Sequence, residues 1–277
     1  MKCVFIGGGA MATALIGGMA SKGTADIKVV DPDEAQRMRL TAAFPHLRCY
    51  SRLEGALFER CDVVVLAVKP QQLQKVARQL VPFVAAVPAV LSIAAGVRIK
   101  DLSRWLGGYS AVIRAMPNTP VQVGAGSTGV YAAPGVNEVA RDRVHELLGS
   151  VGDVVWVLKE EALDVVTALS GSGPAYVFYF LENMETAGLA MGLGEKEARA
   201  TALSVLSGGL ALASHSNEPF ADLRAKVTSK GGTTERAIRV LDQAGVGQAF
   251  QEAVHAAWRR ARELGDELGV DDPVADE

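Results

Sequence analysis

Val4-Phe5-Ile6-Gly7-Gly8-Gly9-Ala10-Met11-Ala12 joins a short apolar run to the start of a helical pattern through three glycines. In the spacing G-x-G-x-x-A, Gly7 permits a tight turn, Gly9 lets the backbone approach a pyrophosphate, and Ala12 keeps the helix close to the strand. The N–H groups at the start of the helix then face the phosphates. A plain glycine turn is the alternative, but the position directly after a predicted strand favours dinucleotide binding.

The chain up to about residue 158 alternates short β-branched runs with stretches of helical pattern. Short strands that are almost purely apolar are typical of a mostly parallel sheet covered by helices on both faces. We therefore predict an α/β fold, with a Rossmann-type dinucleotide-binding domain over residues 1–159. The predicted strands are Lys2–Ile6, Ile27–Val30, Val63–Val68, Ala89–Ile93, Ala111–Arg114, Ser127–Val130 and Val154–Leu158.

From residue 160 onward the β-rich runs give way to long helical patterns and, after Gly265, an acidic tail. We predict an all-helical domain over residues 160–277. Its many small and apolar residues favour burial against a second subunit, although packing within the chain is the alternative. The predicted helices are Ala175–Met191, Glu195–Ser214, Thr233–Gln243 and Gly247–Leu268.

Composition excludes several classes of protein. The chain of 277 residues is 49 % apolar and 21 % charged, which is typical of a globular protein. A net charge of −3 gives no basic field for nucleic acid or anionic lipid. The cysteines and histidines lack metal-ligand spacing, so we expect no metal site. With no cleavable leader and no apolar run that could span a bilayer, we expect a cytoplasmic protein.

A second glycine motif lies in the helical half, at Val227-Thr228-Ser229-Lys230-Gly231-Gly232-Thr233-Thr234. A Gly-Gly turn that leads into a helix presents bare N–H donors and the positive end of the helix dipole to a small anion. The hydroxyl groups of Ser229, Thr233 and Thr234 add further hydrogen-bonding groups. An ordinary threonine helix cap is the alternative at this position.

The residues leave the choice of cofactor open. Asp31 directly follows the second predicted strand, and an acid there usually holds the 2′-hydroxyl of NAD. Arg37 and Arg39 follow closely, and arginine nearby accommodates the 2′-phosphate of NADP. A further motif, Leu66–Gln71, lies where a predicted buried strand stops at Pro70. The end of this strand either faces the cofactor crevice, or Pro70 simply terminates the strand.

The reaction class follows from what is missing. In 3-hydroxyacid dehydrogenases the helical domain opens with a glycine-rich helix start, followed by a catalytic lysine and an asparagine one turn later. At those positions this chain has Val177 and Leu181, and an apolar pair supplies no base for an alcohol. A cyclic imine is readily protonated on nitrogen, so an enzyme that reduces it mainly positions the ring against the nicotinamide.

With these motifs in place, the chain resembles the pyrroline-5-carboxylate reductase family. The resemblance implies reduction of L-1-pyrroline-5-carboxylate to L-proline, the last step of proline biosynthesis, with NADPH as cofactor and NADH as the alternative. It also implies a homodimer through the helical domain, with rings of dimers common in the family. The stretches that carry it are Ile6–Ala12, Leu66–Pro70, Ala115–Pro120, Leu169–Tyr176 and Val227–Thr234.

The resemblance also assigns site residues by matching position. Thr234 is expected to contact the ring nitrogen and is the predicted catalytic residue. The predicted substrate loop comprises Val227, Ser229, Gly232, Thr233 and Thr234. The predicted cofactor residues are Ile6, Gly7, Gly8, Gly9, Ala10, Met11 and Ala12 at the diphosphate, Ala67, Val68, Lys69 and Pro70 in the crevice, and Ala95 and Asn118 near the nicotinamide.

The sequence departs from the family pattern in three places, at Lys230, at Ser51-Arg52 and at Asp31-Pro32. The last two put the adenosine-side contacts, and with them the NADPH preference, in doubt. Two rival functions remain open at this point. One is reduction of a six-membered cyclic imine acid, because one methylene changes binding by only about 1–3 kcal/mol. The other is a dinucleotide-binding sensor without catalysis, which the intact glycine loop disfavours.

Overall fold

The computed structural model describes residues 1–21, 23 and 26–270. Over these residues the first part of the chain forms an eight-stranded sheet. The strands in chain order are β1 Lys2–Ile6, β2 Asp26–Val30, β3 Arg48–Tyr50, β4 Val63–Leu66, β5 Val90–Ser92, β6 Val112–Met116, β7 Gly126–Ala132 and β8 Gly152–Trp156.

The strand order across the sheet is β3-β2-β1-β4-β5-β6-β7-β8. The six strands from β3 to β6 pair in parallel, β7 runs antiparallel to β6, and β8 runs parallel to β7. The prediction of a mostly parallel α/β sheet is therefore confirmed. The strand Arg48–Tyr50 was not predicted, because a three-residue edge strand has no apolar run to mark it.

Helices cover both faces of this sheet. The side chains of β1 alternate between two buried clusters: Cys3 and Phe5 pack into one, Val4 and Ile6 into the other. The sheet thus has a hydrophobic core on each side. The helices of this part are α1 Ala10–Ser21, α2 Glu34–Ala43, α3 Pro70–Val84, α4 Ile99–Trp105, α5 Glu138–Leu148 and α6 Ala162–Val166, with 3₁₀ turns at Gly55–Leu57 and Thr119–Val123 and a π-helical turn at Thr167–Gly171.

The remaining described residues are helical, as predicted. A short helix that the sequence patterns did not reveal begins after Pro219, where seven residues are too few to show a clear period. The helices are α7 Gly173–Ala190, α8 Glu195–Ser214, α9 Phe220–Lys226, α10 Thr233–Gln243 and α11 Val246–Leu268. Residues 271–277, which hold much of the predicted acidic tail, lie outside the described residues.

The chain divides into two compact units. One unit comprises Met1–Ser172 together with the chain from Ala257 onward, and the other is Gly173–Ala256. In the first unit, the end of α11 packs on the loop after β5: a Cβ atom at Gly96 would lie 2.8 Å from Leu268 Cδ1. The domain boundary after residue 159 stays a prediction.

The helices of the second unit leave most of their apolar side chains exposed. Over α7 to α10 the buried residues are only Gly188, Ala198 and Ala202. Phe178 is 65 % exposed and Leu210 is 69 % exposed. Apolar surface on this scale is typical of a protein–protein interface. None of the described helices combines the length and the apolar character needed to cross a bilayer.

Candidate functional site

The predicted cofactor residues follow four neighbouring parallel strands. Gly7 follows β1, Ala67 follows β4, Ala95 comes after β5, and Asn118 comes after β6. Because β1, β4, β5 and β6 are adjacent and parallel, their carboxyl ends lie along the same edge of the sheet. The strand order reverses between β1 and β4, and such a switch point is where open parallel sheets bind ligands.

The turn after β1 has a shape that requires glycine. Gly7 has φ +95°, and a Cβ atom there would lie 2.7 Å from Ala67 O and 2.9 Å from Val68 Cγ1. At Gly9, by contrast, a Cβ atom would meet no described atom within 4 Å, so this backbone faces open space at the start of α1. The buried Ala12 lets α1 pack on the sheet. These residues fit the diphosphate of a dinucleotide.

The Asp31 carboxylate is hydrogen-bonded to the backbone of Gly8, the middle glycine of this turn. Its Oδ2 accepts the Gly8 N–H at 2.8 Å, and its Oδ1 accepts the Asp33 N–H at 2.9 Å. The side-chain amide of Gln36 donates to the carbonyl of Gly8. The carboxylate is therefore held in place by two backbone donors at the carboxyl end of β2.

The turn after β4 leads directly into α3. Ala67 N donates to Ile6 O at 2.8 Å, which keeps the ends of β4 and β1 together. Val68 is half-buried, and Lys69 is exposed in an extended conformation at the N-cap of α3. Pro70 is the first residue of the helix, a position that suits proline because its missing N–H would have no partner there.

Asn118 is buried, and its side-chain amide is used within the protein. Its Nδ2 donates to the carbonyl and the hydroxyl oxygen of Ser170, each at 3.2 Å, and its Oδ1 accepts the Ser127 N–H at 2.9 Å. The Ser170 hydroxyl in turn donates to Ser127 O at 3.1 Å. Asn118 therefore ties the segment after β6 to the turn that precedes α7. The sequence pattern around Ser170 does not indicate this contact with Asn118.

The loop that carries Ala95 is fixed by buried ion pairs at its end. Arg98 donates to both carboxylate oxygens of Asp164, at 3.0 and 2.7 Å. Next to it, Glu160 accepts the Ile99 N–H at 2.8 Å and pairs with Arg114 at 2.5 Å. Burial lowers the pKa of Arg114, and the charge of Glu160 opposes that shift. Glu160, which precedes α6, and Asp164, which lies within it, thus hold the start of α4 in place.

The second glycine motif forms the N-terminus of α10. The helix begins at Thr233, and its N-cap is Gly232, which offers no side-chain cap. The alternative of an ordinary threonine cap is therefore wrong, because both threonines lie inside the first turn. The first N–H groups of a helix have no partner within it. At α10 these donors are available to an anion, and the helix dipole favours negative charge there.

The loop before α10 is held by its own short contacts. Gly231 has φ +75°, and its N–H donates to Glu235 Oε2 at 2.7 Å. Gly232 N donates to Ser229 O at 3.0 Å, and a Cβ atom at Gly232 would lie 2.6 Å from Ser229 Oγ. Val227 is 62 % exposed. Residues 227–234 thus form a compact loop that leads into the uncapped helix.

Two known families match the two parts of this chain. The family described as pyrroline-5-carboxylate reductase dimerisation matches residues 160–264, and the family described as NADP oxidoreductase, coenzyme F420-dependent, matches residues 2–96. The pyrroline-5-carboxylate reductase of Pseudomonas aeruginosa is 38 % identical over 270 residues, which cover 97 % of this chain and 98 % of that protein. This chain belongs to the pyrroline-5-carboxylate reductase family.

Solved structures of pyrroline-5-carboxylate reductases share the fold. The enzyme from Coxiella burnetii is 34 % identical with a TM-score of 0.88, covering 95 % of this chain and 97 % of that one. The Plasmodium falciparum enzyme, solved with NADP bound, is 28 % identical with a TM-score of 0.84, covering 96 % and 98 %. The resemblance, the fold class and the use of NAD(P)H that the sequence predicted are confirmed.

The match to the dimerisation family supports the predicted homodimer. It falls on helices whose apolar side chains the isolated chain leaves exposed, which is what a subunit interface requires. In a pyrroline-5-carboxylate reductase these helices therefore have a second copy of the chain as their partner.

Two contacts of the site residues were missed in the sequence. The position of Asp31 in the sequence points to the ribose and does not indicate its bond to Gly8. Glu235 has no predicted contact, although it follows the Gly232 N-cap by three residues. That is the capping-box spacing, in which the carboxylate reaches back to the backbone N–H of the N-cap residue. The spacing predicts a bond to Gly232; in the structure the carboxylate accepts the N–H of the preceding residue, Gly231.

Proposed function

We propose that this chain reduces L-1-pyrroline-5-carboxylate to L-proline with a hydride from NAD(P)H, as the last step of proline biosynthesis. The observation that carries the proposal for the site is the N-terminus of α10, which has a glycine N-cap and no side-chain cap. The substrate carboxylate is the anion that this helix start binds. Its negative charge is stabilised by the N–H groups of the first turn and by the helix dipole.

In the substrate loop, backbone and side-chain groups bind different parts of the substrate. The backbone at Thr233 and Thr234 supplies N–H donors to the carboxylate, the N–H of Gly232 being used within the loop, and the Ser229 hydroxyl adds a side-chain donor. Val227 contributes an apolar contact for the ring. The hydroxyl group of Thr234 contacts the ring nitrogen and orients the protonated imine, so that its carbon is ready to accept the hydride.

The cofactor residues hold a dinucleotide along the sheet edge. Bound NAD(P)H supplies the hydride for the imine carbon. The residues from Ile6 to Ala12 bind the diphosphate through the open backbone at Gly9 and the start of α1. Those from Ala67 to Pro70 line the crevice. Ala95 and Asn118 lie near the nicotinamide, where the bonds of Asn118 to Ser127 and Ser170 keep its segment rigid.

The reaction needs no strong base on the enzyme. The imine nitrogen carries its proton into the site, the hydride adds to the imine carbon, and the C=N double bond becomes the C–N bond of proline with its electron pair on nitrogen. The apolar side chains Val177 and Leu181 of α7 suit this chemistry, since no alcohol proton has to be removed.

The test is a comparison of Thr234→Ala with Thr234→Ser by steady-state kinetics. We expect Thr234→Ala to lower kcat/KM for the imine acid by about tenfold or more, the value of one hydrogen bond to a charged group, and Thr234→Ser to retain most of it. The dissociation constant for the cofactor stays the same in both. An unchanged kcat/KM in Thr234→Ala would exclude the assigned role.

The substrate itself is tested with two imine acids. We expect wild-type protein to oxidise the cofactor with the five-membered ring acid at a higher kcat/KM than with the six-membered one. A preference for the larger ring would point to the rival substrate, and no oxidation with either would favour a sensor. We propose a cytoplasmic enzyme that assembles as a dimer or a ring of dimers. Sedimentation at several protein concentrations distinguishes the two assemblies.

A further inference from the structure

The carboxyl end of β2 carries a fixed negative charge. Asp31 follows β2 directly, and its two carboxylate oxygens accept the N–H groups of Gly8 and Asp33 at 2.8 and 2.9 Å. Since Gly8 belongs to the diphosphate turn, the carboxylate lies next to that turn. In dinucleotide-binding sheets the adenosine ribose is held at the end of this strand.

Three arginines of the described chain near this point already have hydrogen-bond or ion-pair partners. Arg37 Nη1 donates to the backbone carbonyls of Asp31 and Pro32, at 2.7 and 2.8 Å. Arg39 Nη1 donates to Gln36 Oε1 at 3.3 Å, and Arg52 pairs with Glu54 at 2.9 Å on the surface. A 2′-phosphate would have to compete with these partners for the side chains or use the guanidinium donors that they leave free.

We infer that Asp31 makes this chain select NADH over NADPH. A carboxylate held by two backbone donors keeps further lone pairs that accept a hydrogen bond from a ribose 2′-hydroxyl. The same charge repels a 2′-phosphate, which carries about −1.5 to −2 near neutral pH. The inference rests on the proposed function only in that the chain binds a dinucleotide, and it makes Asp31 a specificity-determining residue.

The test measures binding without the imine, by isothermal titration calorimetry of the intact protein with NADH and with NADPH. We expect wild-type protein to bind NADH at least about tenfold more tightly, the value of one hydrogen bond to a charged group. In Asp31→Asn the ratio of the two dissociation constants falls to about threefold or less, because the repulsion is gone. Because both dissociation constants are measured on the same preparation, their ratio does not depend on the fraction of protein that is folded.

Asp33→Asn is the matched control. It removes the same charge two residues away, and asparagine keeps the N-cap bond that Asp33 now makes to Ala35 N–H at 2.9 Å. We expect the ratio of the NADPH and NADH dissociation constants in Asp33→Asn to equal that of wild type. Added salt weakens the repulsion of exposed charges, so the wild-type ratio narrows as the ionic strength rises.

Either of two results would overturn the inference. One is wild-type protein that binds NADPH as tightly as NADH or more tightly, in which case arginine donors such as those of Arg37 outweigh the repulsion by Asp31. The other is an Asp31→Asn ratio equal to that of wild type. Neither result bears on the reduction of the imine acid, which is measured separately by its turnover with both cofactors.

Discussion

Replacement of Asp164 by asparagine tests how the loop that carries Ala95 is held. Arg98 and Asp164 form a bidentate pair with nitrogen–oxygen distances of 3.0 and 2.7 Å. The Asp164 side chain is 4 % exposed and that of Arg98 is 14 % exposed. Asparagine has nearly the same shape, so Asp164→Asn removes the charge of the carboxylate without opening a cavity.

The expected loss follows from the burial of the pair. Breaking a buried ion pair by removing one partner costs about 3–5 kcal/mol, since the remaining charge is left without compensation. Arg98 keeps some solvent contact, so we expect the lower end of this range, about 3 kcal/mol. That is a large part of the 5–15 kcal/mol that is typical of a folded domain.

The assay is urea unfolding at one fixed protein concentration, because the stability of a dimer depends on concentration. The control variant is Glu146→Gln, which disrupts an exposed pair with Arg143 at 3.4 Å and is expected to change the free energy of unfolding by less than about 1 kcal/mol. A loss in Asp164→Asn no larger than that of the control would refute the reasoning that this pair anchors the loop.

Three further predictions concern the substrate loop, the subunit interface and the thiols. Gly231→Ala places a side chain at φ +75° with no described atom within 4 Å, so backbone strain of about 1–2 kcal/mol alone should raise KM for the imine acid in steady-state kinetics; an unchanged KM would argue against the role of the loop. Leu210→Asp puts a charge on a side chain that is 69 % exposed in the single chain, and sedimentation should show dissociation towards monomers; a dimer as tight as wild type would contradict this. Burial raises the pKa of all three thiols, that of Cys61 to about 11, but Cys49 is only half-buried, so at about pH 8 it should react first with a thiol reagent; equal rates for all three thiols would show that burial does not control them.

The elements with a strong periodic signal could be predicted from the sequence, and weakly marked ones could not. The strand Lys2–Ile6 and the helices Glu195–Ser214 and Thr233–Gln243 have the predicted bounds, because each carries a clear apolar pattern between breakers. The edge strand Arg48–Tyr50 and the helix Phe220–Lys226 were missed, since they are short and their stability comes from the surrounding structure.

The site could be predicted as motifs but not as contacts. The glycines at 7 and 9 and the pair at 231 and 232 signal backbone that must approach a ligand or turn sharply. The bond from Gly8 to Asp31, by contrast, joins residues that are 23 positions apart and depends on the pairing of β1 with β2. Likewise, the bonds of Asn118 to Ser170 span 52 positions, and no local pattern encodes them.

The central claim is that the N-terminus of α10 binds the carboxylate of the substrate. The most direct test compares kcat/KM for 1-pyrroline-5-carboxylate with that for 1-pyrroline, the same ring without the carboxylate, at a saturating concentration of cofactor. Loss of two hydrogen bonds to a charged group predicts a value for 1-pyrroline that is lower by about 10²–10⁴-fold. A value within about threefold of that for the acid, the range of a minor contact, would contradict the claim.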